Sequence, residues 1–297
     1  MIAAWLTNAV PRPGLDALLA GWRDVTVVLR LQGAGMLAAD PAFGGNLRRS
    51  LGGALMRSAS DQAQARVPCP WQPPCALDVF YREQIRAGGD GMPKPMVFQM
   101  DATGEDLELR LRLFGLAGDW SGAMAEALVV ALREILPWAK ATAGRVTSPP
   151  PIVGRTLEAW EGTEAEAPMP VSGALLQLLT PMDATGDDWA LRPATVLTRA
   201  LRRVDALARW SGVCLADGGG VAAQIAELTH DTTGLRAAVA PRYSGSARTT
   251  VSDPSITGNL GLSGDVQAIW PLLTLIERCG IGRGASEGRG RARVVAS

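Results

Sequence analysis

Leu107-Glu-Leu-Arg-Leu-Arg-Leu-Phe114 alternates leucine with a charged residue until its final position. Successive side chains of a β-strand point to opposite faces, so the segment reads as a strand with one apolar and one wet face. Just upstream, Pro95-Met-Val-Phe-Gln-Met100 reads as a second strand. Earlier still, Val25-Thr-Val-Val-Leu-Arg-Leu31 is β-branched and apolar, and Gly44 to Arg57 places Leu47, Leu51, Ala54 and Leu55 at helical spacing. Downstream a helix is expected from Gly122 to Leu136 and a weaker strand between Ala141 and Trp160. The order is β-α-β-β-α-β, which is the ferredoxin-like (RRM-like) motif.

Pro149-Pro-Pro151 interrupts the last of these segments, and Glu161 to Pro170 is acidic, proline-bearing and aperiodic, as an exposed linker would be. The pattern then repeats in outline. Ala174-Leu-Leu-Gln-Leu-Leu179 reads as a strand, Pro193 to Trp210 as a helix begun by its proline, and Leu235 to Ala240 as a strand. Val266 to Arg278 is expected as a helix and Arg291 to Val295 as the closing strand. The expectation is an α+β protein of two tandem ferredoxin-like domains, residues 1–166 and 167–297.

With 297 residues and 47% apolar content the chain can bury a core in each domain. Its 29 basic and 29 acidic side chains cancel, so no whole-molecule field draws it to nucleic acid and local charge must carry any such role. Lys94 and Lys140 are the only lysines. The apolar stretch Met124 to Leu136 is broken by Glu126, Arg133 and Glu134, which argues against a membrane span. Four cysteines fit no dense disulfide framework and the N-terminus lacks a charged leader region, so a cytoplasmic protein is expected.

Near the C-terminus, Gly280-Ile-Gly-Arg-Gly-Ala-Ser-Glu-Gly-Arg-Gly-Arg-Ala-Arg-Val-Val295 concentrates glycine and arginine. A dinucleotide fingerprint needs a strand before it and a helix after it, whereas here a helix precedes and few residues follow. A P-loop would close on Gly-Lys-Ser/Thr, which is absent. What remains is a glycine loop between the last helix and the last strand, carrying Arg283, Arg289, Arg291 and Arg293. It reads either as an RNA-backbone cradle or as a low-complexity tail.

Several segments together resemble the CRISPR-associated endoribonucleases of the RAMP superfamily that process precursor CRISPR RNA. Gly258-Asn-Leu-Gly-Leu-Ser-Gly264, Trp270-Pro-Leu-Leu-Thr-Leu275 and Gly280-Ile-Gly-Arg-Gly-Ala-Ser286 leading to Gly288-Arg-Gly290 resemble that family's C-terminal signature. Pro241-Arg-Tyr-Ser244, Phe43-Gly-Gly-Asn-Leu-Arg-Arg49, the Cys69 to Phe80 segment, Leu113-Phe-Gly115 and Leu179-Thr-Pro-Met182 resemble further family elements in the family's order. The resemblance implies tandem ferredoxin-like domains and metal-independent cleavage of repeat RNA, with the substrate 2′-hydroxyl as nucleophile and no cofactor. It also implies CRISPR repeat RNA or mature CRISPR RNA as partner, with other effector subunits as a further partner class.

Such cleavage needs a base, an acid and cations near the phosphate. His230, in Glu227-Leu-Thr-His-Asp231, is the only histidine and one candidate; Tyr243 is the other. The first-domain histidine common in the family is missing, which leaves a catalytically silent RNA-binding subunit open as the alternative. For RNA contact the candidates are Arg48, Arg49, Arg242, Gly282, Arg283, Gly284, Ser286, Arg289 and Arg291, while the helical spacing of Arg199 and Arg203 reads as a solvated stripe. Cys69 and Cys75 lack further paired ligands, so no metal site is expected and their proline-rich segment reads as a stiff loop.

Overall fold

The computed structural model describes residues 2–40, 42–83, 92–162, 171–184, 189, 192–244 and 249–297, with the backbone alone at 83, 241–244, 249 and 250. The chain opens with helix α1 (Ile2–Thr7), the short strand β1 (Val10–Arg12) and helix α2 (Leu15–Ala20). It forms two compact units: Met1–Asn8 with Arg23–Trp160, and Ala9–Trp22 with Glu161–Ser297. Residues 9–22, expected in the N-terminal domain, therefore pack with the C-terminal one. The expected boundary at 166/167 lies outside the described residues.

In the first unit, β2 (Arg23–Leu31) leads to helix α3 (Phe43–Met56), then to strands β3 (Met96–Thr103) and β4 (Asp106–Phe114). Helix α4 (Ser121–Val130) follows, continued by a wider turn over Ala131–Ile135, and β5 (Ile152–Glu161) closes the unit. The sheet order is β3-β4-β2-β5, so the first and third strands of the motif lie side by side at its centre. Val27, Leu29 and Leu31 of β2 and Leu109, Leu111 and Leu113 of β4 are fully buried, as are Leu47 and Leu51 of α3 and Met124 and Leu128 of α4. This is the two-layer core that the alternation predicts.

The opposite face departs from expectation at one end. Arg112 is only 7% exposed, with Nε donating to Thr26 Oγ1 at 3.3 Å and lying 3.5 Å from Asp24 Oδ1. Taking this guanidinium out of water is tolerable because a carboxylate and a hydroxyl face it. Farther along, Arg110 stays half-buried between Glu108 at 2.7 Å and Glu158 at 2.9 Å.

The second unit repeats the plan with an insertion. Strand β6 (Gly173–Asp183) is followed by helix α5 (Ala194–Ala208), the short strand β7 (Val213–Leu215) and helix α6 (Gly218–Glu227). Then come β8 (Thr229–Asp231), β9 (Leu235–Ser244), β10 (Thr249–Ser263), helix α7 (Trp270–Cys279) and β11 (Ala292–Ala296). The sheet order is β11-β6-β10-β8, with β9 also paired to β10. β1 joins β7 in parallel, Val10 opposite Val213, and Trp22 is fully buried.

β10 is long enough to serve two functions. Its later residues pair with β6, from Ser255 opposite Asp183 to Ser263 opposite Gly173. Thr249 to Gly258 pair with β9, so that hairpin runs past the end of β6. Gly258 marks the break in register, at φ +103°, where an added Cβ would lie 2.2 Å from the Gly234 carbonyl oxygen. Gly258→Ala is expected to cost about 2 kcal/mol, combining strained backbone with a clash. Thermal unfolding checks this, and an unchanged Tm would show that the backbone at Gly234 yields.

Candidate nucleic-acid interface

Helix α7 ends where the Gly280 N–H bonds the Ile276 carbonyl at 2.8 Å, and the glycine loop begins there. The loop closes on itself: Ile281 N–H donates to Gly290 O at 2.7 Å and Arg289 N–H to Gly284 O at 3.1 Å. It is also fastened to β6. Gly290 N–H donates to Pro181 O at 3.0 Å, and Leu179 N–H to Arg291 O at 2.8 Å. Thr180 Oγ1 donates to Gly288 O and accepts from the Arg291 N–H, both at 2.9 Å. At Gly290, φ is +62° and an added Cβ would stand 1.9 Å from Ile281 O, so only glycine lets these strands of backbone pass. Residues 280–290 are thus an ordered structural element, and the tail reading falls.

Arginines of this loop divide by burial. Arg283 is exposed, and Arg291 is half-buried where the chain enters β11. Arg289, expected on RNA, is 5% exposed and bonds within the protein instead. Its Nη1 lies 3.1 Å from Asp253 Oδ2 and its Nη2 donates to Ala240 O at 2.8 Å. Asp253 and Ala240 face each other across β9 and β10, so one guanidinium clips the glycine loop to that hairpin. Ser286 is buried, while Gly282 and Gly284 are half-buried.

Arg199 and Arg203 also depart from the solvated stripe. Arg199 Nη1 donates to Asp183 O at 2.9 Å, and Arg203, buried on α5, donates through Nε to Cys279 O at 2.9 Å. Burial lowers the Arg203 pKa, against the opposing charge and hydrogen bond of the Cys279 side chain. Arg203 therefore holds the last turn of α7, from which the glycine loop starts. The sequence carries one signal for this, the four-residue spacing that puts both arginines on one helix face.

The two proton-transfer candidates lie at different places on the sheet. His230 sits in β8 opposite Leu262, which in turn pairs with Ala174 of β6. The glycine loop is fastened at Pro181, seven residues along the same strand, so the backbone separation is about 20 Å. Burial lowers the His230 pKa and a hydrogen bond to the Leu228 carbonyl opposes this; its Nε2 is buried without a partner among the described residues. The ring is accordingly neutral at pH 7. The Tyr243 backbone pairs with Thr250, three residues beyond Ala240, on the hairpin extension at the glycine-loop end. The side chains of Arg242 and Tyr243 lie outside the described residues.

Arg48 and Arg49 belong to the first unit. The Arg48 guanidinium lies 5.5 Å and Lys94 Nζ 5.0 Å from the centre of the Tyr81 ring, and the Tyr81 hydroxyl donates to Arg48 O at 2.7 Å. Arg49 Nη1 donates to Asn46 Oδ1 at 3.4 Å. Among the described residues no three His, Cys, Asp or Glu side chains gather in a way that could hold a metal ion. Among the same residues no helix is long and apolar enough to cross a membrane.

Residues 176–292, from β6 through the glycine loop to the start of β11, match the family model of the CRISPR-associated endoribonuclease Cas6. Over those residues the chain is similar to that family. Among solved structures, a Cas6 product complex is 18% identical with a TM-score of 0.55, over 92% of this chain and 99% of that one. A second Cas6 product complex gives 18% identity and 0.54, over 92% and 100%. Cas6 of Thermus thermophilus gives 16% and 0.52, over 92% and 99%. At such identities the likeness establishes the fold, tandem ferredoxin-like units across nearly the whole Cas6 chain. No curated protein sequence matches.

Arg289→Ala is expected to destabilise the second unit by about 3 kcal/mol, since it removes the buried guanidinium that ties the loop to Asp253 and the Ala240 carbonyl. Urea unfolding of the variant measures this, and a loss below about 1 kcal/mol would remove Arg289 from its clipping role.

Proposed function

We propose that this protein binds CRISPR repeat RNA and cleaves it without a metal ion. The observation that carries the reading is the rigid glycine loop, with Arg283 exposed and Arg291 half-buried on a backbone fixed to β6, inside the segment that matches Cas6. The substrate 2′-hydroxyl oxygen attacks the adjacent phosphorus as the bond to the 5′-oxygen breaks. A 2′,3′-cyclic phosphate and a 5′-hydroxyl result. A base takes the 2′-hydroxyl proton, an acid supplies one to the leaving oxygen, and arginines oppose the charge that builds on the phosphate. We assign phosphate contact to Arg283 and Arg291, with Gly282 and Gly284 on the same loop; Arg242, Arg48 and Arg49 are further candidates for RNA contact. Arg289 holds the loop in shape for them. Tyr243, at the loop end of the sheet, is preferred to His230 for proton transfer.

A second reading is a silent RNA-binding subunit. It is favoured by the position of the sole histidine, about 20 Å along the sheet from the loop and with Nε2 covered.

The deciding experiment incubates the purified protein in EDTA with a labelled repeat RNA from its own locus, beside a copy carrying hydrogen in place of the scissile 2′-hydroxyl. Cleavage of the first alone is expected. Tyr243→Phe should then slow single-turnover cleavage about 10²-fold, with His230→Ala within about threefold of the parent. The reverse ranking would move the chemistry to the other end of the sheet, and tight binding without cleavage would establish the silent subunit.

Arg283→Ala combined with Arg291→Ala should flatten the slope of log affinity against log salt by about one to two units. An unchanged slope in filter binding would take the glycine loop out of the RNA site.

A further inference from the structure

In the first unit, Cys69 and Cys75 bracket Pro70-Trp-Gln-Pro-Pro74 in a loop that enters the short helix Ala76–Asp78. Donors converge on one sulfur there. The Ser60 hydroxyl points at Cys69 Sγ from 3.2 Å and the Cys75 backbone N–H from 3.3 Å. The Trp71 backbone N–H and the Cys75 thiol act on the same sulfur to lower its pKa. Ser60 is itself held by accepting the Ala63 N–H at 3.2 Å, and the Cys69 N–H donates to Asp78 Oδ2 at 3.3 Å. Such a shell suits an anionic sulfur better than a thiol, which would have its own hydrogen to place.

The two cysteines differ in access. Cys69 is half-exposed, whereas Cys75 is 8% exposed and sits behind it. A dissolved oxidant therefore meets Cys69 first, and Cys75 lies within reach of whatever forms on it. Cys214 and Cys279 are buried in the other unit, each directed at a backbone carbonyl.

We propose that Cys69 and Cys75 form a thiol–disulfide exchange site that takes a small-molecule disulfide such as glutathione disulfide. The Cys69 thiolate attacks one sulfur of that disulfide, forming a mixed disulfide and expelling one glutathione thiolate, which takes up a proton. Cys75 then loses its proton and attacks the Cys69 sulfur, expelling the second glutathione and closing the Cys69–Cys75 bond. The protein gives up two thiol hydrogens and two electrons, and the small disulfide is reduced to two thiols. The acid-base properties agree. Burial works to raise the Cys69 thiol, but the hydrogen bonds from Ser60, Cys75 and Trp71 together bring it below its ordinary value. Burial raises Cys75, as does a charge on Cys69, which fits a resolving thiol that reacts second.

This site stands apart from the RNA reading and is tested without RNA. The reduced full-length protein is mixed with glutathione disulfide, quenched in acid and mapped by peptide mass spectrometry. An internal Cys69–Cys75 disulfide is expected in the parent, and a glutathione adduct held on Cys69 in Cys75→Ser. Iodoacetamide pulse-labelling of the parent at neutral pH should modify Cys69 at least about tenfold faster than the other three cysteines. A glutathione adduct on Cys69 that persists in the parent would overturn the exchange site, as would equal labelling of Cys69 and Cys75. The parent measurements decide the matter even if the serine variant fails to fold.

Discussion

The second unit depends on how its last loop is closed. An ordinary side chain at Gly290 would collide with the Ile281 carbonyl, and the bond from Gly290 to Pro181 is what seats β11 beside β6. Arg289, the preceding residue, carries that constraint outward to Asp253 and Ala240. One turn of backbone thus fixes the edge strand, the loop and the long hairpin with respect to one another. Arg203 adds the remaining tie by holding the end of α7. The solvent-facing arginines rest on this frame and do not build it.

This division of labour was only half readable in the amino-acid order. The glycines announce a close approach of backbone, and they do mark one, but the partner in the structure is the protein's own β6. Composition cannot say which arginine in a glycine-arginine run is buried, because burial follows from the acid that faces it. For Arg289 that acid is Asp253, thirty-six residues earlier and brought near only by the register of β9 and β10. Arg203 shows the same limit: helical spacing places it on a face with Arg199, and only the position of the α7 carbonyls makes that face inward.

The strands and helices themselves were legible wherever a period was strong. β2, β4, α3 and α4 fall within a few residues of their expected spans because their apolar residues repeat at two or near 3.6. His230 follows α6 but stands in a three-residue strand, whose existence depends on Leu262 and not on any local pattern. Its distance from the glycine loop is likewise a property of register, which is invisible in one dimension. Residues 9–22 were misplaced for a related reason, since β1 finds its partner β7 some two hundred residues away.

That pairing has a consequence for the order in which the molecule can be made. The second unit takes its first piece, with Leu18, Leu19 and Trp22 in the core, from a segment synthesised before most of the first unit, of which Met1–Asn8 alone precedes it. In topological terms residues 23–160 of the first unit are an insert inside the second. As the chain leaves the ribosome, residues 23–160 can fold with Met1–Asn8 while residues 9–22 wait, apolar and unsatisfied, for β7 and α7 to arrive. The closing contacts span most of the sequence, so they pay nearly the full entropy of joining its ends. A fragment beginning at the linker would inherit the glycine loop and its arginines but leave the seat of Trp22 empty.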